Sequence, residues 1–141
     1  MTINQFMTAD HRACDEQFAQ LENIVDQGNF EGGKIMFNEF KTHMLHHFSM
    51  EEDIMFPQFN EAGSGGCNPT GVMLMEHDQM RNLFNQMEGA ITNNDKNSFL
   101  GFSENLLFVM QQHNMKEEQM MYNLADDALD SEQIVKEMQA L

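Results

Sequence analysis

The stretch HHFSMEEDIMFP, residues 46–57, sets two histidines, two glutamates and an aspartate among large apolar side chains. Alone it reads as a charged, His-rich helix. An echo 66 residues further on changes that reading. From His47 the stretch runs HFSMEEDIMF and falls on HNMKEEQMMY at 113–122. His47 then matches His113, Glu51 matches Glu117, Glu52 matches Glu118, and Phe56 matches Tyr122. The same offset lays DHRACDEQFAQLE (10–22) on EHDQMRNLFNQME (76–88), which pairs His11 with His77 and Phe18 with Phe84. The turn at Gly28-Asn29 falls on Asn94-Asp95. The chain therefore reads as two copies of one unit.

Each unit reads as a helical hairpin. Cys14, Phe18, Leu21, Ile24 and Val25 recur at helical spacing, which predicts a helix from about Thr8 to Gln27, stopped at Gly28-Asn29. A second helix is predicted from about Phe30 to Phe56, with Ile35, Met36, Phe40, Met44, His47, Glu51 and Met55 on related faces and Pro57 near its end. NEAGSGGCNPTG (60–71) has the composition of a loop. Further helices are predicted over about Gly71–Thr92 and Asn97–Leu124, with a break at 93–95. The tail DSEQIVKEMQAL predicts a short amphipathic helix capped by Asp130 or Ser131. No segment reads as a strand. The expectation is an all-α single domain over 1–141, with hairpins at about 8–58 and 71–124. These form an up-down-up-down antiparallel four-helix bundle with a short C-terminal helix.

Composition narrows the function. The 141 residues are enough for one domain with its own core. Acids outnumber bases 23 to 7, a formal charge of −16, which argues against nucleic acid and an anionic membrane surface as partners. No apolar run approaches the roughly 20 residues of a membrane span. The N-terminal MTINQFMTADH lacks the pattern of a signal peptide, so a soluble, cytoplasmic protein is expected. Cys14 and Cys67 make no disulfide framework. The 15 methionines read as adaptable core filler in helices rather than as a soft-metal site.

The repeat also sorts the six histidines. His11, His47, His77 and His113 are paired by it, whereas His43 falls on Val109 and His46 on Gln112. Each half thus offers a lone histidine and, 36 residues later, an H-x-x-x-E pair. Residues four apart share a helix face about 5.4 Å apart along the axis. His47 with Glu51, and His113 with Glu117, can therefore point together into a bundle, where facing helices build metal sites. Four imidazoles and two carboxylates suit two ions, each with two histidines, bridged by Glu51 and Glu117. Six protein ligands leave positions for water, an oxo group or O2. A nitrogen and oxygen set without thiolate favours iron, with manganese or zinc as alternatives. One such pair would be an ordinary solvated i,i+4 pair; the signal is the conjunction. Glu52 and Glu118 lie one residue off the stripe and are expected outside it or behind the ligands. His43 is assigned to the lip or the support of the site, or else to the surface. His46 is placed at the surface, Cys14 in the core, and Tyr122 as a partly exposed aromatic.

With this pattern in place, the chain resembles the hemerythrin-like family, in particular its HHE cation-binding branch. The family's order of H, H-x-x-x-E, H, H-x-x-x-E is met by His11, His47 with Glu51, His77, and His113 with Glu117. The trailing IMFP (54–57) is also similar. The resemblance reaches to about Ala128 and implies a four-helix bundle around a non-haem di-iron centre, with an oxo or hydroxo bridge. Oxygen-carrying members have a fifth histidine where this chain has Met73, and an aspartate five residues after the last histidine, where it has Glu118. The resemblance implies binding of O2 or NO for sensing, storage or delivery. The alternative it implies is a redox enzyme that reduces peroxide, O2 or NO with a separate redox partner, or an iron donor in iron–sulfur repair. Cys14 and Tyr122 are the redox-capable neighbours on which an enzyme could draw.

Overall fold

The computed structural model describes residues 1–63 and 68–141. Cys67 and the centre of the expected loop lie outside the described residues. Helix α1 (Ile3–Asp26) turns into α2 (Phe30–Ser49), which passes through a π-helical segment (Met50–Met55) into α3 (Phe56–Ala62). Helix α4 (Thr70–Thr92) turns into α5 (Lys96–Lys116), which passes through a second π segment (Glu117–Met121) into α6 (Tyr122–Ala128). Helix α7 (Ser131–Gln139) closes the chain. No strand occurs among the described residues, and the all-α bundle expected from the sequence is the observed fold.

Local chemistry explains most of the boundaries. Helix α1 starts five residues before the expected Thr8 because Thr2 and Gln5 form a reciprocal capping box. The hairpin turns use the two residues that the repeat equates: Gly28 has φ +80° and Asn94 has φ 56°. Both types enter the left-handed region readily. Asn29 and Asp95 then cap α2 and α5 by accepting the N–H groups of Gly32 and Ser98. At the tail, Asp130 rather than Ser131 caps α7, accepting the N–H of Gln133.

The second rod departs from expectation. It does not stop near Pro57 but runs to Ala62, so residues 60–62 are helix rather than loop. The π segment makes this workable. Phe56 donates its N–H to the carbonyl of Glu51, five residues back, and Pro57 then sits in the first turn of α3. A missing N–H costs little there. Gly63, at φ +79°, ends the rod. Ile35 is also corrected: it is 63% exposed, and Phe37 is buried in its place.

Helix α1 packs against α2 on one side and against α5 and α6 on the other, while α4 packs against α2 and α5. Two apolar clusters fill this square. One is built around Phe18, Leu21, Phe37, Phe40, Phe84 and Phe99 at the end with the tight hairpin turns. The other gathers Ile3, Met7, Met55, Phe59, Met73 and Met121 at the opposite end. There α7 lies against α1 and the first π segment and contributes Ile134, Val135 and Met138. Between the clusters lies a layer of buried polar residues.

Candidate metal centre

That layer holds the six residues singled out by the repeat. His11, His47, Glu51, His77, His113 and Glu117 are all at most 3% exposed. Burying so many ionisable groups is costly unless they are paired or hold a metal. The structure brings their functional atoms together in two overlapping groups. Glu51, His77, His113 and Glu117 form one, and His11, His47 and Glu117 the other.

The carboxylates span both halves. Glu117 Oε1 lies 3.1 Å from His11 Nε2 and 3.1 Å from His113 Nε2. Glu51 Oε1 lies 3.0 Å from His77 Nε2 and 3.6 Å from His47 Nε2. Each glutamate thus faces one histidine from each hairpin, as a bridging group must. Several of these approaches lack hydrogen-bond alignment. Glu51 Oε1, Glu117 Oε2, His77 Nε2 and His113 Nε2 are buried and have no hydrogen-bond partner among the described residues. Buried polar atoms are rarely left so. Nitrogen and oxygen donor atoms that face one another out of hydrogen-bond alignment fit a cation.

Every imidazole is held from behind. His11 Nδ1 pairs with Glu118 Oε2 at 2.8 Å, and His77 Nδ1 pairs with Glu52 Oε2 at 2.6 Å. His47 Nδ1 pairs with Asp10 Oδ2 at 2.7 Å, and His113 Nδ1 with Glu76 Oε1 at 2.9 Å. A carboxylate accepting the Nδ1 proton fixes the ring and its tautomer, and turns Nε2 inward as a donor for a metal. The carboxylates are braced in turn. Arg12 reaches Glu118 at 2.6 Å, Arg81 reaches Glu52 at 2.9 Å, Lys116 reaches Glu76 at 2.5 Å, and His43 reaches Asp10 at 2.7 Å.

The sequence anticipated some of this shell. Glu52, Glu118 and His43 do stand behind the inner residues. Asp10 and Glu76 were missed. The available signal was the repeat itself, which equates the acid before His11 with the acid before His77. His46 is exposed and Cys14 is a buried core thiol, as expected. Tyr122 is not partly exposed: it is fully buried, with its hydroxyl inside the centre.

Charge is balanced by protons in the metal-free chain. Burial opposes a charged His11, but hydrogen bonds to Glu117 and Glu118 outweigh it and raise its pKa to about 9. Burial likewise opposes a charged His113, which the adjacent Glu117 charge and a hydrogen bond to Glu76 raise to about 10. Burial and the Glu117 charge push Glu51 up. Burial also disfavours a charged Glu117, but the His113 charge and hydrogen bonds from Glu51 and His11 hold it well below the usual range. A metal ion would take over the role of those protons.

The sequence model described as the hemerythrin HHE cation binding domain matches residues 2–125. No curated protein and no solved structure matches the chain.

Proposed function

Since the chain belongs to the hemerythrin HHE cation-binding family, we propose that it holds two iron ions and binds dioxygen or nitric oxide there, for sensing, storage or delivery. His11 and His47 hold one ion, His77 and His113 the other, and Glu51 and Glu117 bridge them. The observation that carries this reading is the convergence of four inward Nε2 atoms on two buried carboxylates, with all four Nδ1 atoms held by acids. A nitrogen and oxygen set without thiolate supports iron, with manganese or zinc as the alternatives.

Iron bound here supplies electrons that a diatomic ligand can share and return. The chain does the rest. Asp10, Glu52, Glu76 and Glu118 set the imidazole tautomers. Phe48 stacks on the His77 ring at 4.1 Å between centroids and fixes its plane. The apolar clusters on either side of the layer limit the access of water to the inner donors. The test is the optical spectrum of the reduced, iron-loaded protein as O2 or NO is admitted and then removed. A reversible change is expected, and no change with either gas contradicts the reading.

A redox enzyme for peroxide, O2 or NO, drawing electrons from a separate partner, is the second reading, and iron donation to iron–sulfur repair goes with it. Met73 favours it. It is 1% exposed and sits where the family resemblance calls for a fifth histidine, so the chain leaves more of the metal coordination open. Sustained peroxide or NO consumption, abolished in Glu117→Ala, would favour this reading over simple binding.

A further inference from the structure

Tyr122 breaks the symmetry of the centre, because the repeat puts Phe56 in its place in the other half. Its Oη lies 2.9 Å from Glu51 Oε2 and 2.9 Å from Glu117 Oε1. It lies 3.1 Å from His11 Nε2 and 3.3 Å from His47 Nε2. His11 and His47 are the histidines assigned to the first ion, and Glu51 and Glu117 are the carboxylates assigned to the bridges. His11 and His47 turn Nδ1 towards carboxylates and Nε2 inward. A phenol carries one proton. It can be donated to only one of these four atoms, all of which crowd the hydroxyl oxygen within 3.3 Å in a buried space.

A phenol oxygen, two imidazole nitrogens and two carboxylate oxygens gathered this closely form a donor set that a cation would hold. The spacing fits as well. Bonds of about 2.0–2.2 Å to nitrogen and oxygen put neighbouring ligand atoms of a six-coordinate ion about 3 Å apart. Resting on the di-metal reading above, we propose that Tyr122 is a phenolate ligand, through Oη, to the ion held by His11 and His47. On binding, the O–H bond breaks, an oxygen–metal bond forms, and the proton leaves to bulk water; no electron moves.

The π segment is what delivers the ring. Tyr122 stands five residues after Glu117 and donates its N–H to the Glu117 carbonyl. A regular helix would turn that position about 140° away from the Glu117 face. The wider π turn brings it back over the carboxylate, a use that fits the frequency of such turns at functional sites. In the other half the same device presents the Phe56 ring, 6.0 Å from the His77 ring, with no donor atom. The two ions are therefore inequivalent, and the one held by His77 and His113 keeps more positions for an outside ligand.

The full chain and Tyr122→Phe are loaded with iron and oxidised with ferricyanide; iron content, visible spectrum and resonance Raman spectrum are then recorded. A phenolate on ferric iron gives a visible charge-transfer band whose excitation enhances phenolate ring vibrations. The chain has a single tyrosine, so such vibrations in the wild type assign themselves. The expected result is two irons in both proteins, with the band and the ring modes in the wild type only. Two irons in the wild type without phenolate modes overturns the proposal and leaves the di-iron reading standing. Failure of the wild type to take up two irons overturns both. If Tyr122→Phe loses iron, phenolate modes in the wild type still uphold the ligand, and their absence refutes it.

Discussion

The two halves of the centre agree in their inner residues and differ in what supports them. Both halves turn histidine Nε2 atoms inward and hold Nδ1 with an acid. Behind Asp10 stands His43, whereas behind Glu76 stands Lys116. Arg12 and Asp15 face the solvent beside Glu118, whereas the corresponding pair beside Glu52 is reversed, Asp78 and Arg81. The reversal leaves an arginine on each glutamate, so the brace survives although its position moves by one turn. Over the inner residues the difference is chemical: a phenol in one half and a phenyl in the other. The geometry that a metal needs is duplicated, and the surroundings that tune each ion are not.

The largest expected effects come from what the halves share. Glu51→Ala and Glu117→Ala each remove a carboxylate that faces both hairpins. Each should lower bound iron from two per chain to one or fewer in elemental analysis, and full occupancy in both variants would break the bridging assignment. Next come the acids behind the imidazoles. Glu52→Ala and Glu118→Ala should each weaken metal binding about 10–100-fold, measured by competition with a chelator. Similar losses would show that the halves are equivalent at this level, and a loss confined to one would show that they are not.

Proton competition gives a third expectation. His11 and His113 hold protons to about 9 and about 10 in the metal-free chain, so metal must displace them. Apparent affinity should rise with pH from neutrality through this range, levelling above it. The metal-free fold has the opposite trend. Raised histidine pKa values contribute stability that is full below the ordinary value near 6.5 and is lost as pH rises through 9 and 10. A thermal melt of metal-free protein at a series of pH values checks the sign. Metal itself should raise the melting temperature, since a ligand at about 1,000 times its Kd adds about 4 kcal/mol. The smallest effects should fall on His43→Ala and His46→Ala, both of which should keep two ions per chain. His46→Ala should match the wild type, and His43→Ala should show a modest loss of affinity through Asp10.

The fold was legible because the chain states its hairpin twice. Helical spacing, the Gly28 and Asn94 turns and the paired histidines all point to one bundle, and the six inner residues could be named from the repeat. What escaped was set by geometry that a period of 3.6 does not contain. The two π segments carry helix past Pro57 and rotate Tyr122 from an expected half-exposed position into the centre. Asp10 and Glu76 escaped for another reason. An acid next to a histidine in sequence points elsewhere on its own helix, and each reaches the histidine of the neighbouring helix instead. Ile35 failed because a run of apolar residues was given one face when Phe37 was the one turned inward.

The central claim is that this buried layer is a two-metal centre. Metal-free protein titrated anaerobically with ferrous iron, freed of unbound metal and assayed for iron per chain, tests it most directly. Two tightly held ions per chain are predicted, and saturation at one, or retention of none, would contradict the account.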